Sequence, residues 1–164
     1  MGQWSTRVDE LGPLRIVGLA VVSPTAMNPD SSFEGSKISV LWDDFFALIP
    51  KLSTKPDGTF FGVSTPADDH MPPLTMNYVA GIAVTASIDL PDGFTEILVP
   101  AGTYLYFTHA GSITNIDQSV RELYGHYLPS SHYVVREAPH LELYDERFDH
   151  DSPTCEMDLL VPIE

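Results

Sequence analysis

The segment Leu141-Glu142-Leu143-Tyr144-Asp145-Glu146-Arg147-Phe148 sets a carboxylate between two leucines and two residues from a phenol. In an extended strand alternate side chains share a face, so Leu141 and Leu143 fall on one side and Glu142 and Tyr144 on the other. The leucine face suits packing under helices. A carboxylate beside an aromatic is costly to bury unless it is paired. Glu142 therefore reads either as a counter-ion at the bottom of a pocket or as a residue on the wet face of a half-exposed strand. Spacing alone favours the wet face. The pocket reading implies one chemistry, the electrostatic and cation–π recognition of a positively charged, partly apolar molecule.

Other chemistries find little support. Six histidines are present, but no HExxH pair and no paired-cysteine motif accompanies them. Asp149-His150-Asp151 reads as a solvated acidic turn. Cys155 is the single cysteine, so an intrachain disulfide is impossible. No GxSxG elbow and no GxxxxGK[ST] phosphate loop occurs. Neither a catalytic set, a metal site nor a cofactor is expected. The charge balance narrows the partners further. Eight basic residues stand against 23 acidic ones, a net charge of −15. Phosphate backbones are bound by neutralising them with Lys and Arg, so direct nucleic-acid binding is not expected. An anionic membrane surface repels such a chain, whereas a cation is drawn to it. The same charge also serves plain solubility. No apolar run reaches the roughly 18–20 residues of a membrane span, and the first residues lack a signal-peptide pattern. A cytoplasmic location is the expectation.

The elements that must position Glu142 follow from periodicity. Arg15 to Val22 is an apolar, β-branched strand. Turn signals follow at Ser23-Pro24 and Asn28-Pro29-Asp30. Ile38, Leu41, Trp42, Phe45, Phe46, Leu48 and Ile49 recur at helical spacing and end at Pro50. Strands are expected at Phe60–Ser64 and Met76–Val84, with a loop carrying Pro66, Pro72 and Pro73 between them. Leu90-Pro91-Asp92-Gly93 is the joint between two halves. Strands at Thr95–Val99 and Thr103–His109 come next, then a helix over 113–128 closed by Pro129, then strands at His140–Phe148 and Glu156–Ile163. Each half carries a β-α-β-β order, over about 14–85 and 94–164. The order of elements carries this repeat more than letter identity does. The fold class is α+β: a tandem β-α-β-β duplication with an antiparallel sheet, two helices and a ligand groove between the repeats.

A set of short motifs recurs in order over nearly the whole chain. They are Ile16-Val17-Gly18-Leu19, Leu41-Trp42-Asp43-Asp44-Phe45, Phe61-Gly62-Val63-Ser64, Tyr78-Val79-Ala80-Gly81 and Pro91-Asp92-Gly93-Phe94. Then follow Val99-Pro100-Ala101-Gly102-Thr103-Tyr104, His109-Ala110-Gly111, Tyr127-Leu128-Pro129-Ser130-Ser131, Pro139 to Asp145, and Leu160-Val161-Pro162-Ile163. Together they resemble the effector-binding domain of AraC-type regulators, the GyrI-like (gyrase-inhibitory-protein-like) family. The resemblance implies one domain over 1–164, a tandem β-α-β-β fold and a groove between the repeats.

It also implies a buried glutamate on the penultimate strand facing a cationic drug between aromatics. Glu142 matches that glutamate, and Trp42 matches an aromatic position of the first helix. Tyr78, Tyr127 and Met157 are further ligand-binding candidates chosen by element, with core packing an equal reading for each. The functional expectation is a stand-alone small-molecule-binding domain for amphipathic, cationic compounds, serving multidrug or effector sensing or sequestration. The chain is about as long as the family domain alone, so no DNA-binding segment is expected, and a role in transcription regulation would need a separate partner protein. Two alternatives follow from the resemblance. One is a hydrolase of cyclopropane-bearing genotoxins, with Glu142 as general base; the other is a gyrase-inhibitor-like protein. Binding is preferred over catalysis.

Overall fold

The computed structural model describes residues 4–24, 37–54, 57–66 and 75–164. The turn signals at Asn28-Pro29-Asp30 and Pro72-Pro73 lie outside the described residues. Among the described residues, eight strands, β1 (Ser5–Leu11), β2 (Leu14–Pro24), β3 (Phe60–Pro66), β4 (Thr75–Val84), β5 (Thr95–Val99), β6 (Gly102–Ala110), β7 (His140–Tyr144) and β8 (Glu156–Pro162), form one sheet in the order β1-β6-β8-β7-β3-β4-β2-β5. All seven pairings are antiparallel. With helices packed on one side, the architecture is α+β, as the periodicity indicated.

The strand order is palindromic in topology. Substituting β5–β8 for β1–β4, and the reverse, turns the order into its own mirror. The two units are β2-α1-β3-β4 and β6-α2-β7-β8, each with one strand ahead of it. Those leading strands are exchanged: β1 pairs with β6 of the other unit, and β5 pairs with β2. The periodicity of the sequence gives no sign of β1. Its residues are almost all exposed, and Ser5-Thr6-Arg7 offers no apolar alternation. An edge strand held through its backbone leaves no such trace. Trp4, just ahead of it, anchors it: its indole N–H donates to Ser119 Oγ at 2.9 Å, and its ring meets Phe107 at 5.9 Å.

α1 (Lys37–Leu48) runs as its spacing dictates, with Leu41 and Phe45 buried against the sheet. A 3-10 turn at Ile49–Lys51 follows, Pro50 near its start. The second helical stretch is less regular than expected. A 3-10 turn (Ile113–Asn115) leads into α2 (Ile116–Glu122), a π-helical turn (Leu123–Tyr127) and a last turn, α3 (Leu128–Ser130). Pro129 thus sits inside the final turn rather than ending the helix before it. It cannot supply the N–H that an α-turn needs at the Gly125 carbonyl. The chain takes the wider register just before it, with Leu128 N–H bonded to Leu123 O.

Both faces of the sheet are packed. On the helix side α1 covers Val17, Leu19, Tyr78, Ala80 and Ile82, and the second helical stretch covers Leu105, Phe107, Met157, Leu159 and Val161. These are two separate cores. The opposite face buries Ile16, Phe61, Val63, Val79, Tyr104, Tyr106, Leu141 and Leu160 together. Two expectations are corrected here. Leu141 and Leu143 pack into this helix-free core, not under the helices, so Glu142 and Tyr144 face the helix side. Strand β7 also stops at Tyr144 instead of continuing to Phe148. Asp145 turns the chain by accepting from Arg147 N–H through Oδ1 at 3.1 Å, and Phe148 N–H bonds Asp145 O at 3.0 Å.

Candidate functional site

The central strand pair of the palindrome is β3–β7, and its register runs from Phe60↔Tyr144 to Ser64↔His140 with Gly62↔Glu142 in the middle. This seam runs between the two helix-side cores. Along it, β7 presents His140, Glu142 and Tyr144 on the helix side by strand alternation.

Glu142 collects hydrogen bonds from both repeats on one oxygen. The Tyr78 hydroxyl, from β4, donates to Oε2 at 2.8 Å, and the Tyr144 hydroxyl donates to the same atom. The Trp42 indole N–H in turn donates to the Tyr78 hydroxyl at 2.9 Å. The carboxyl group lies deep among these side chains, while the residue as a whole keeps part of its surface open. Burial raises its pKa; the two phenol hydrogen bonds pull it back, and the charge of Asp117 pushes it up again, leaving it above the usual value. Among the described residues, no basic side chain contributes to this shift. Tyr78 and Tyr144 are held well above the usual phenol range, first by burial and then by the Glu142 charge, so both stay protonated donors.

Rings enclose this cluster. Trp42 meets Tyr144 edge-on at 5.4 Å and Phe46 at 5.7 Å, and Tyr144 meets Phe148 at 4.8 Å. On the side of the second repeat, Tyr124 from the π-helical turn is hydrogen-bonded to His140 Nδ1 at 2.6 Å. Burial lowers the His140 pKa to about 4, so the ring is neutral at neutral pH and supplies no charge to Glu142. Tyr124 is raised by burial and then by the Glu142 charge.

Of the five sequence-selected residues, Glu142, Trp42 and Tyr78 converge in one hydrogen-bonded chain. Tyr127 and Met157 lie elsewhere. Tyr127 packs on Phe107 at 5.7 Å and its hydroxyl reaches Thr6 Oγ1 at 3.3 Å, towards β1. Met157 is fully buried in the core under the second helical stretch. The site also contains Tyr144, Phe148, Tyr124 and His140, none of them in that set of five. Tyr144 and His140 are two residues either side of Glu142 on one strand, and that alternation was the available signal. Among the described residues no cluster of three or more His, Cys, Asp or Glu could hold a metal ion. None of their helices is long and apolar enough to cross a membrane.

A carboxylate held in an aromatic enclosure over the seam of a duplicated α+β sheet is the makings of a small-molecule-binding domain. Residues 6–164 match the model of the GyrI-like small molecule binding domain, and the chain belongs to that family. It is 31% identical over 151 residues to the transcriptional regulator BrlR of Pseudomonas aeruginosa, an alignment covering 91% of this chain and 54% of BrlR. The chain therefore spans about half the length of that curated relative. Its fold is similar to that of SAV2435 bound to tetraphenylphosphonium, with a TM-score of 0.75 and 19% identity over 98% of this chain and 94% of that one. EcmrR, solved in a DNA complex, is similar at a TM-score of 0.70 and 11% identity, covering 98% of this chain and 57% of EcmrR.

Proposed function

We propose that this domain binds an amphipathic cation over the β3–β7 seam, with Glu142 as counter-ion and Trp42 and Tyr144 as aromatic walls. The observation that carries the reading is that the buried Glu142 carboxylate is served by two neutral phenol donors and, among the described residues, by no basic side chain. A cation placed about 4 Å from it gains roughly 4 kcal/mol at an effective dielectric near 20, part of which desolvation takes back. Each ring face adds about 0.5–2 kcal/mol. Apolar contact contributes about 25 cal/mol per Å². The sum favours flat or bulky lipophilic cations over small hydrophilic ones. That the fold relative SAV2435 holds tetraphenylphosphonium agrees with this chemistry. In a regulator such as BrlR, occupancy of this domain would be the sensed event.

The test is a pair of ions with nearly the same shape. Tetraphenylphosphonium is expected to bind, and tetraphenylborate, its anionic counterpart, to bind at least tenfold more weakly. Glu142→Gln should narrow that gap by weakening the cation alone, by about 1–3 kcal/mol. Equal affinity for both ions in the unaltered domain would defeat the counter-ion reading.

A further inference from the structure

Gly62 stands opposite Glu142 at the midpoint of the β3–β7 register. A Cβ at Gly62 would lie 2.2 Å from the Tyr78 hydroxyl, 2.8 Å from Tyr78 Cζ and 2.8 Å from Glu142 Oε2. These are far inside contact distance, and all three atoms belong to the hydrogen-bonded chain rather than to backbone. Gly62 has no need of its conformational freedom here: it sits within a regular strand, outside the positive-φ glycines. What the position requires is empty space.

We infer that Gly62 is a positioning residue of the ligand site: its missing side chain makes the hollow in which the Tyr78 phenol of the first repeat reaches the Glu142 carboxylate of the second. The palindromic sheet places one residue from each repeat at this midpoint. One of them carries the charge and the other vacates the space for it. The acidic centre at this seam therefore belongs to both repeats. Any side chain at position 62 would displace the phenol, cost Oε2 one of its two donors and detach Trp42 from the chain of bonds. Around the carboxylate, Tyr144 on β7, Tyr124 and Asp117 on the second helical stretch and His140 beside it would remain, so the change falls on the Tyr78 phenol first and on Oε2, 2.8 Å from the added Cβ, second.

This inference rests on the site reading above, and its test separates the two. In the ligand-free domain, the carboxyl carbon-13 resonance of Glu142 reports its titration without any cation. Gly62→Ala should raise the midpoint by roughly one pH unit, because a donor to the ionised form is lost. Tyr78→Phe should raise it by a similar amount. The double variant G62A/Y78F should move it no further than either alone, since both remove the same bond. Tetraphenylphosphonium affinity should fall about tenfold in each of the three. If G62A fails to fold but G62A/Y78F folds, the clash with the phenol is supported. A wild-type midpoint in G62A, additive shifts in the double variant, or failure of both G62A and G62A/Y78F to fold would overturn the inference. Failure of the unaltered domain to bind the cation, with the shifts present, would overturn the counter-ion reading instead.

Discussion

The indole of Trp42 and the phenol ring of Tyr144 meet edge-on, 5.4 Å apart and inclined at 75°. One comes from the helix of the first repeat and the other from a strand of the second, so the contact joins the two repeats beside Glu142. Trp42 contributes in two ways that substitution can separate. Trp42→Phe keeps a ring and removes the N–H donated to Tyr78; Trp42→Ala removes both. Trp42→Phe should weaken tetraphenylphosphonium by about 0.5–1.5 kcal/mol, the net worth of one neutral hydrogen bond. Trp42→Ala should lose a further 0.5–2 kcal/mol, roughly, with the ring. Isothermal titration calorimetry resolves the two steps. Equal losses would mean that the ring face does not meet the ligand.

Stability should carry two opposed pH signatures from this site. Glu142 is raised above its usual value near 4.5 by burial, so the folded state holds its proton longer than the unfolded chain. Its contribution to stability is present at low pH and is lost as pH rises through the folded pKa. Glu142→Gln should therefore gain in melting temperature relative to the parent as pH climbs from about 4.5 towards neutrality. His140 is lowered from 6.5 to about 4 by burial, and the unfolded chain binds its proton first. That contribution is present above 6.5 and is lost as pH falls towards 4. His140→Asn should flatten the parent's acid decline over that window. Cation affinity should fall in acid as Glu142 takes up its proton. Melting curves and binding isotherms at matched pH test all three; a gap between parent and Glu142→Gln that does not change with pH would contradict the buried-acid reading.

The helix-free side of the sheet carries a charge pair that the site does not use. Asp158 is 1% exposed, with Arg147 Nη2 at 2.7 Å and Thr108 Oγ1 at 2.6 Å. Arg147→Met removes the charge and keeps much of the volume. The unpaired Asp158 should then cost about 2–4 kcal/mol of folding stability, read by urea denaturation, with tetraphenylphosphonium affinity unchanged. A loss under about 0.5 kcal/mol would show that Arg7, at 4.0 Å, already neutralises the carboxylate.

How much of this was legible in the residues depended on how local each signal is. Strand alternation put Glu142 and Tyr144 on one face correctly, because period two is a property of the strand itself. Which face met the helices was not local, since both faces of β7 are packed, and the leucines went to the helix-free core. Helical spacing put Trp42 on the first helix, but only the family resemblance singled it out for the site. Tyr78 was chosen by its strand alone, and its hydroxyl proved to be the link between Trp42 and Glu142. Tyr127 lies at the end of a π-helical turn, where an extra residue shifts the helix face in a way that a 3.6-residue pattern does not follow. Met157 alternates into a core that any buried strand would offer. The edge strand β1 makes its ladder through backbone groups and carries almost no apolar pattern. Gly62 is legible only when its partner across the ladder is known.

The exchanged leading strands give the chain a connectivity that its compact sheet conceals. Leu11 is paired with Gly102, and Leu14 with Val99, so each half of the polypeptide is completed by a piece of the other, and the turn ending at Gly93 (φ +88) is the only covalent tie between them. If that turn is cleaved after Gly93, fragments 1–93 and 94–164 each retain an edge whose hydrogen-bonding partner lies on the other fragment, which suits them to reassembly from separate polypeptides. If the turn is instead straightened, two intact molecules can trade halves and recover every ladder of the monomer at the cost of one linker.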